Sequence, residues 1–274
     1  MNGKGEGNTA MAYRHFAYVY DRLMEETPYP QWLRFAQMYW NEHGAPQTVV
    51  DLACGTGSIA IPLAQMGMAV TGIDLSADML AVARDKEESV LRTSSYAAGG
   101  SVAWLEQDMR EWTLPKPVDA VVSFCDSLNY VTESDDLEQV IRCTFDGLKP
   151  GGTFLFDMLT AKQFEEYEEA QPFVLNEDDI AYIWTVDYDD QRREIEHELT
   201  IFMRDAAASG SERFVRIEET HVQRAYSPEW VCTLLKESGF TDIRVYADFR
   251  FVEADDRTNR AFFTARRPMN LTQA

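Results

Sequence analysis

The sequence predicts an α/β protein: a doubly wound, mostly parallel sheet whose last strand turns antiparallel, interrupted by an antiparallel β insertion. Three observations carry that expectation. Between Thr48 and Met158, short and nearly continuous apolar runs alternate with stretches of helical period, the pattern of parallel strands covered by helices on both faces. The first apolar run stops at an acid and enters a small-residue turn, "DLACGTGS", which in such sheets faces a ligand. From 160 to 226 the rhythm breaks into acidic clusters and segments of period two.

At 274 residues the chain can hold one large core with an elaboration, or two modest domains. Its 45% hydrophobic and 12% aromatic content is that of a folded soluble globule rather than a disordered chain. Against 46 acidic side chains stand 25 basic ones, and the net charge of -21 sets up a field that repels polyanions. Neither nucleic acid nor an anionic membrane is therefore expected as a partner. Cys54, Cys125, Cys143 and Cys232 lie far apart, without C-x-x-C spacing or a dense disulfide framework, and read as reduced thiols in a cytoplasm. The N-terminal stretch lacks the apolar segment of a signal peptide, and no window approaches the ~18 apolar residues of a membrane span. No His/Cys/Asp cluster has metal-ligand spacing, so no metal is expected.

Taken in order, residues 11–43 place apolar and aromatic groups at helical spacing on either side of "TPYP" (Phe16, Val19, Tyr20 and Leu23, then Trp32, Phe35, Ala36 and Tyr39), which predicts two helices. "TVVDLA" is a buried strand, 57–66 a helix, "AVTGID" a strand and 77–91 a second helix, followed by a loose loop, "RTSSYAAGGS". Strands follow in "VAWLEQD" and "VDAVVSF", then a helix over 135–147 that ends before "LKPGG", then a strand in "TFLFDM". After the insertion, "SPEWVCTLLKESGF" supplies Ser227 as an N-cap, Pro228 at the first helical position and Gly239 as a stop. "TDIRVYADF" and "RAFFTARR" close the sheet across a link short enough for a hairpin, which makes the last strand antiparallel.

Within 160–226, Tyr182, Trp184, Val186 and Tyr188 share one face of a strand, as do Ile195, His197, Leu199, Ile201 and Met203. Segments 194–205 and 213–224 flank "AAASGS", so an antiparallel hairpin centred near Ser209 is expected, with His197 opposite His221. The expected organisation is N-terminal helices over 1–46, a core formed by 47–159 and 227–274, and the insertion over 160–226.

Gly55 and Gly57 let a ligand approach the backbone at the carboxyl edge of the sheet, and Ala60 fills the third place of a G-x-G-x-x-G/A fingerprint. The glycines alone fit a nicotinamide dinucleotide as well as another nucleoside. Asp74 ends the second strand, 17 residues past Gly57, where a carboxylate can accept from vicinal ribose hydroxyls. Asp108 in "EQDM" offers an acceptor suited to an exocyclic amine, and Met79 a soft apolar surface for a flat base. Together these outline an adenosine clamp.

"VVDLACGTGSIAIPLAQMGMAVTGIDLSADML", "LEQDMREWTLPKPVDAVVSFCDSLNYV" and "LKPGGTFLFDM" resemble, in register, the successive motifs of class I S-adenosylmethionine-dependent methyltransferases. The resemblance implies their Rossmann-like, seven-stranded sheet with an antiparallel last hairpin, S-adenosyl-L-methionine as cofactor, and a methyl acceptor as partner. "YVYDRLM" and "PYPQW" also resemble a subgroup of small bacterial members in which an N-terminal helix covers the methionine end.

Carried over by position, the resemblance gives Asp51 the ordering of the turn or a water-mediated reach to the cofactor amino group. Ala53, Gly55 and Gly57 give backbone contact to the methionine end. Asp74 takes the ribose hydroxyls, Leu75 and Met79 sandwich the adenine, and Asp108 with the Met109 backbone reads its edge. Tyr20 and Trp32 close over the sulfonium, and Asp126, Asn129 and Tyr130 face the methyl group and acceptor. If the acceptor must lose a proton, Asp126, His221 and His197 are the candidate bases.

Three functions stay open at this point: a methyltransferase for a small molecule enclosed by the insertion, a non-catalytic cofactor- or partner-binding module, and a nicotinamide-dependent dehydrogenase. The pairing of Asp74 with Asp108 and the lack of a Tyr-x-x-x-Lys arrangement argue against the last. Monomer and homodimer are both compatible with the sequence.

Overall fold

The computed structural model describes residues 19–205 and 213–269. Residues 19–23 are helical, and "TPYP" separates them from α1 (Tyr29–His43). The part of the expected first helix before Val19 lies outside the described residues. Then follow β1 (Thr48–Leu52), α2 (Ala60–Gln65), β2 (Ala69–Asp74), α3 (Ala77–Thr93), β3 (Ser101–Glu106) and β4 (Val118–Ser123). A 3-10 turn at Ser127–Tyr130 leads to α4 (Ser134–Gly147), β5 (Leu148–Leu159) and α5 (Ala161–Ala170). Strands β6 (Phe173–Asn176), β7 (Ile180–Asp189), β8 (Glu194–Arg204) and β9 (Phe214–Arg224) precede α6 (Pro228–Glu237), β10 (Thr241–Ala247) and β11 (Arg260–Arg266).

The seven strands of the main sheet run in the order β10-β11-β5-β4-β1-β2-β3. All neighbours from β5 to β3 are parallel, while β11 lies antiparallel to both β5 and β10. Side-chain alternation loads both faces. Val50, Leu52, Val121 and Phe154 join Leu137, Val140 and Ile141 of α4 and Leu235 of α6 in one cluster. Their sequence neighbours Val49, Ala120, Val122 and Leu155 join Phe35, Ala36 and Trp40 of α1 and Leu63 of α2 in the other. Apolar residues on both sides of each central strand force helices onto both faces, which is why the runs read as continuous.

The expected helix over 57–66 begins only at Ala60, because Gly55 (φ 51°) and Gly57 (φ 77°) hold the turn before it in left-handed backbone. Gly57 has a second reason for being glycine: a Cβ there would lie 2.5 Å from the Trp104 ring.

Strands β6 to β9 form a separate four-stranded antiparallel sheet in chain order. In the β8–β9 pair His197 stands opposite His221, the register expected from a centred turn, although the turn itself near Ser209 lies outside the described residues. The sequence reading missed α5. Its "EEYEEA" looks like a solvated acidic cluster, but Ala161, Phe164 and Tyr167 recur every third residue and pack with Val186, Tyr188 and Ile195 of the sheet.

Asn129 joins the two sheets. Its side chain is fully buried, donating to Leu159 O (3.0 Å) and Arg224 O (2.9 Å) and accepting from Leu159 N (2.9 Å). The amide is thereby taken up by backbone and is not available to an acceptor molecule. Asn129→Ala leaves a buried N–H and two carbonyls without partners, and equilibrium urea denaturation should show a loss of about 2–4 kcal/mol.

Candidate active site

Strand order reverses between β1 and β4, so the carboxyl ends of these two strands open the crevice where doubly wound sheets take ligands. The backbone is strained on both sides of it. Ala53 (φ 61°) follows β1, and Cys125 (φ 60°) and Asp126 (φ 52°) follow β4, all non-glycine residues in left-handed conformation. Such strain persists only where the surroundings enforce it, and it gathers at functional sites.

On the β1 side, the carboxylate of Asp74 accepts from Gly55 N (2.8 Å) and Ser76 N (2.9 Å), bracing the glycine turn against the start of α3. Burial raises the Asp74 pKa, against those backbone donors. Asp51 is buried, and its Oδ2 has no hydrogen-bond partner among the described residues. Burial, with help from Asp74, pushes the Asp51 carboxyl up to about 7. An orphaned buried acceptor beside strained backbone is the mark of a site that a polar ligand completes. Thr56, in the same turn, donates to Asp21 (2.5 Å), which pairs with Lys86 (2.7 Å), so the N-terminal helix is pinned to the glycine turn.

On the β4 side, Asp157 of β5 receives four donors: Trp32 Nε1 (2.8 Å), Cys125 N (2.9 Å), Asp126 N (3.1 Å) and Arg260. Burial pushes its carboxyl up, and the Arg260 guanidinium opposes that. Arg260 also pairs with Asp126 Oδ1 (2.8 Å) and lies over the Trp32 ring, 5.1 Å from its centroid. Asp126 Oδ2 accepts from Gln223 of β9 (2.8 Å).

The other expected site residues fall as follows. Tyr20 is half-buried, and desolvation, with the nearby Tyr29, Cys125, Tyr130 and Asp126, raises its pKa. Trp32 is nearly inaccessible and its indole N–H is committed to Asp157, so it forms the wall behind the crevice instead of closing over it. Leu75 is 67% exposed, open to a flat ligand, whereas Met79 packs against Val19 and the second sheet. Asp108 lies just beyond β3 with Arg110 folded back on both its oxygens, which lowers its pKa. Met109 is partly buried against the core. His221 is half-buried, with the Tyr130 ring edge-on at 6.0 Å. No group of three or more potential metal ligands occurs among the described residues.

Arg260, Asp157 and Gln223 were missed from sequence. Asp157 did leave a signal, a lone acid in the apolar run "TFLFDM"; Arg260 left none, since only the antiparallel return of β11 brings it to the crevice. A separate cavity of about 1000 Å³ lies between α5, α6 and β10, lined by Lys162, Tyr226, Lys236 and Asp255 among others, and includes none of the crevice acids.

A glycine turn braced by a strand-end acid at the switch point of a seven-stranded sheet with an antiparallel last strand is the place where doubly wound sheets bind nucleoside cofactors. Residues 49–152 match the family model described as a methyltransferase domain. The chain is 37% identical over 262 residues to the Bacillus subtilis (strain 168) protein named "Putative methyltransferase YqeM", covering 95% of this chain and 99% of that one. It is 34% identical to "Putative methyltransferase GWCH70_2453" of Geobacillus sp. (strain WCH70), covering 94% and 100%. An S-adenosylmethionine-dependent methyltransferase from Clostridium acetobutylicum ATCC 824 superposes with a TM-score of 0.78 at 25% identity, over 93% of this chain and 99% of that one. The chain belongs to the class I S-adenosylmethionine-dependent methyltransferases. It is an enzyme, and S-adenosylmethionine is its cofactor.

Two substitutions test the β1 side. The folded Asp51 carboxyl titrates above its unfolded value, so it favours folding only while protonated and opposes it as pH rises through about 7. Asp51→Asn should therefore stabilise the ligand-free protein by about 1–3 kcal/mol at alkaline pH, a gain that disappears in the ordinary carboxylate range, as read by melting across pH. Asp74→Ala should weaken adenosylhomocysteine binding by roughly 1.5–3 kcal/mol in calorimetry, with the fold intact.

Proposed function

We propose that the enzyme methylates a small molecule held between the crevice and the antiparallel sheet. The observation that carries this reading is the reach of β9 into the crevice, where Gln223 donates to Asp126 while His221, on the same strand face, lies beside Tyr130. A site walled in this way suits a compact acceptor better than a polymer, and the net charge of -21 weighs against a polyanionic one. In this reading Asp51, Ala53, Gly55 and Gly57 hold the methionine end, Asp74 the ribose, and Leu75 with the Met109 backbone the adenine, while Met79 and Asp108 reach it only by giving up contacts with the second sheet and with Arg110. Tyr20 borders the sulfonium.

Bound adenosylmethionine supplies a methyl group already activated on sulfur, so the chain's own work is positioning and proton management. Asp126 has both oxygens engaged by donors, Arg260 and Gln223, which makes it an orienting acceptor rather than a free base. His221 is the better base. Burial lowers its pKa, so the imidazole is neutral at pH 7 and able to take a proton from the acceptor.

Adenosylhomocysteine release, followed across a panel of small metabolites, tests the reading; methylation found only in a macromolecular fraction would refute it. With an acceptor in hand, His221→Ala should lower kcat by about 10²-fold or more with unchanged adenosylhomocysteine affinity. The acidic limb of the wild-type pH profile should lie below 6.5, because a depressed pKa keeps the base neutral to lower pH.

A further inference from the structure

We propose that His197 and Gln223 are positioning residues for methyl transfer, forming with Trp184 a one-way hydrogen-bonded relay that fixes the Asp126 carboxylate from the antiparallel sheet. The proposal rests on the reading of Asp126 as part of the transfer site.

The register of the sheet builds the relay. His197 stands opposite Val186 on β7 and His221 on β9, which makes Trp184 and Gln223 its diagonal neighbours on the same face. Trp184 Nε1 lies 3.1 Å from His197 Nδ1. An indole N–H can only donate, so Nδ1 must be the unprotonated, accepting nitrogen. The imidazole proton then sits on Nε2, 3.1 Å from Gln223 Oε1. With the carbonyl end of the amide facing the imidazole, its NH₂ end faces Asp126 and donates to Oδ2 at 2.8 Å.

Every link follows from its neighbour: a pure donor starts the chain, a carboxylate ends it, and none of the bonds can be reversed. His197 and Gln223 are 6% and 2% exposed. An amide buried that deeply is unfavourable unless both its ends are bonded, and the relay supplies a partner for each end.

The consequence falls on Asp126. Arg260 holds one oxygen and Gln223 the other, which sets the carboxylate plane in two directions. Without the amide donor the group is free to rotate about its contact with Arg260, and a misdirected carboxylate slows transfer without altering the cofactor's own contacts.

Two measurements on the full chain test this. In ¹⁵N-histidine-labelled protein with adenosylhomocysteine added, NMR should show neutral His197 with Nε2 protonated and Nδ1 accepting. Adenosylhomocysteine formation from a deproteinised bacterial metabolite extract, at saturating adenosylmethionine, should fall about 10- to 100-fold in Gln223→Leu, while calorimetric affinity for adenosylhomocysteine stays within about twofold. If that variant does not fold, Trp184→Phe serves, and should mix the two imidazole tautomers and slow formation by about 3- to 10-fold. An Nδ1-protonated His197, or variants with the wild-type rate, overturns the relay. Wild-type protein that binds adenosylhomocysteine but methylates nothing in the extract counts against the small-acceptor reading instead, and the tautomer in wild type and variant then decides the relay alone.

Discussion

The arrangement around the crevice depends on one ion cluster, Asp126–Arg260–Asp157, in which Asp157 is fully buried and its two partners partly so. Two carboxylates cannot sit charged on adjacent strand ends in low dielectric without a cation between them, and Arg260 is that cation. It can reach them only from the first residue of β11, and only because β11 runs opposite to β5, which brings its amino end to the carboxyl edge. The antiparallel last strand is therefore a condition for the site as well as a way to close the sheet. Trp32 ties α1 to the same cluster, and Gln223 ties in the second sheet. Three parts of the chain that the sequence separates converge on one charge balance.

That convergence explains which parts of the fold were legible. Strands β1, β2, β4 and β5 are buried on both faces, so their composition is dictated wherever they appear, and "AVTGID" coincides with β2 residue for residue. The hairpin register was legible for a different reason: strict alternation leaves one face buried, and a one-residue slip would have exposed Ile195 and Ile201, both now fully buried. Helix α5 was not legible because its acids cover its apolar stripe in any linear reading. The 3-10 turn at Ser127–Tyr130 follows from strained backbone at Cys125 and Asp126, which composition does not reveal.

The site was legible in proportion to how local it is. The glycine turn and Asp74 are contiguous with strands whose ends the apolar pattern marks, and there the structure brings together residues that the motif grouped. Asp108 was chosen for the same reason, but Arg110, two residues on, takes up its oxygens, a competition the motif does not show. For Trp32 and Asn129 the expected roles come from the family resemblance alone, and both use their polar atoms on the scaffold. Residues whose role depends on a pairing across the chain, such as Arg260 and Gln223, have no sequence neighbour that reports it.

The charge of the crevice raises a physical question of its own. Adenosylmethionine carries one more positive charge than adenosylhomocysteine, so a strongly negative site would hold the donor too well and oppose the transition state, in which that charge is dispersing. Four carboxyls line the crevice, but few are left as bare charges. Arg260 balances one of Asp126 and Asp157, two backbone N–H groups brace Asp74, and Asp51, pushed up to about 7, is partly neutral near physiological pH. In the proposed reading the remaining negative field favours a cationic donor over its neutral product, which helps exchange after each turnover, while the rate is left to geometry at Asp126 and His221. In that reading the burial that orphans Asp51 limits the negative charge next to a reaction in which positive charge is lost.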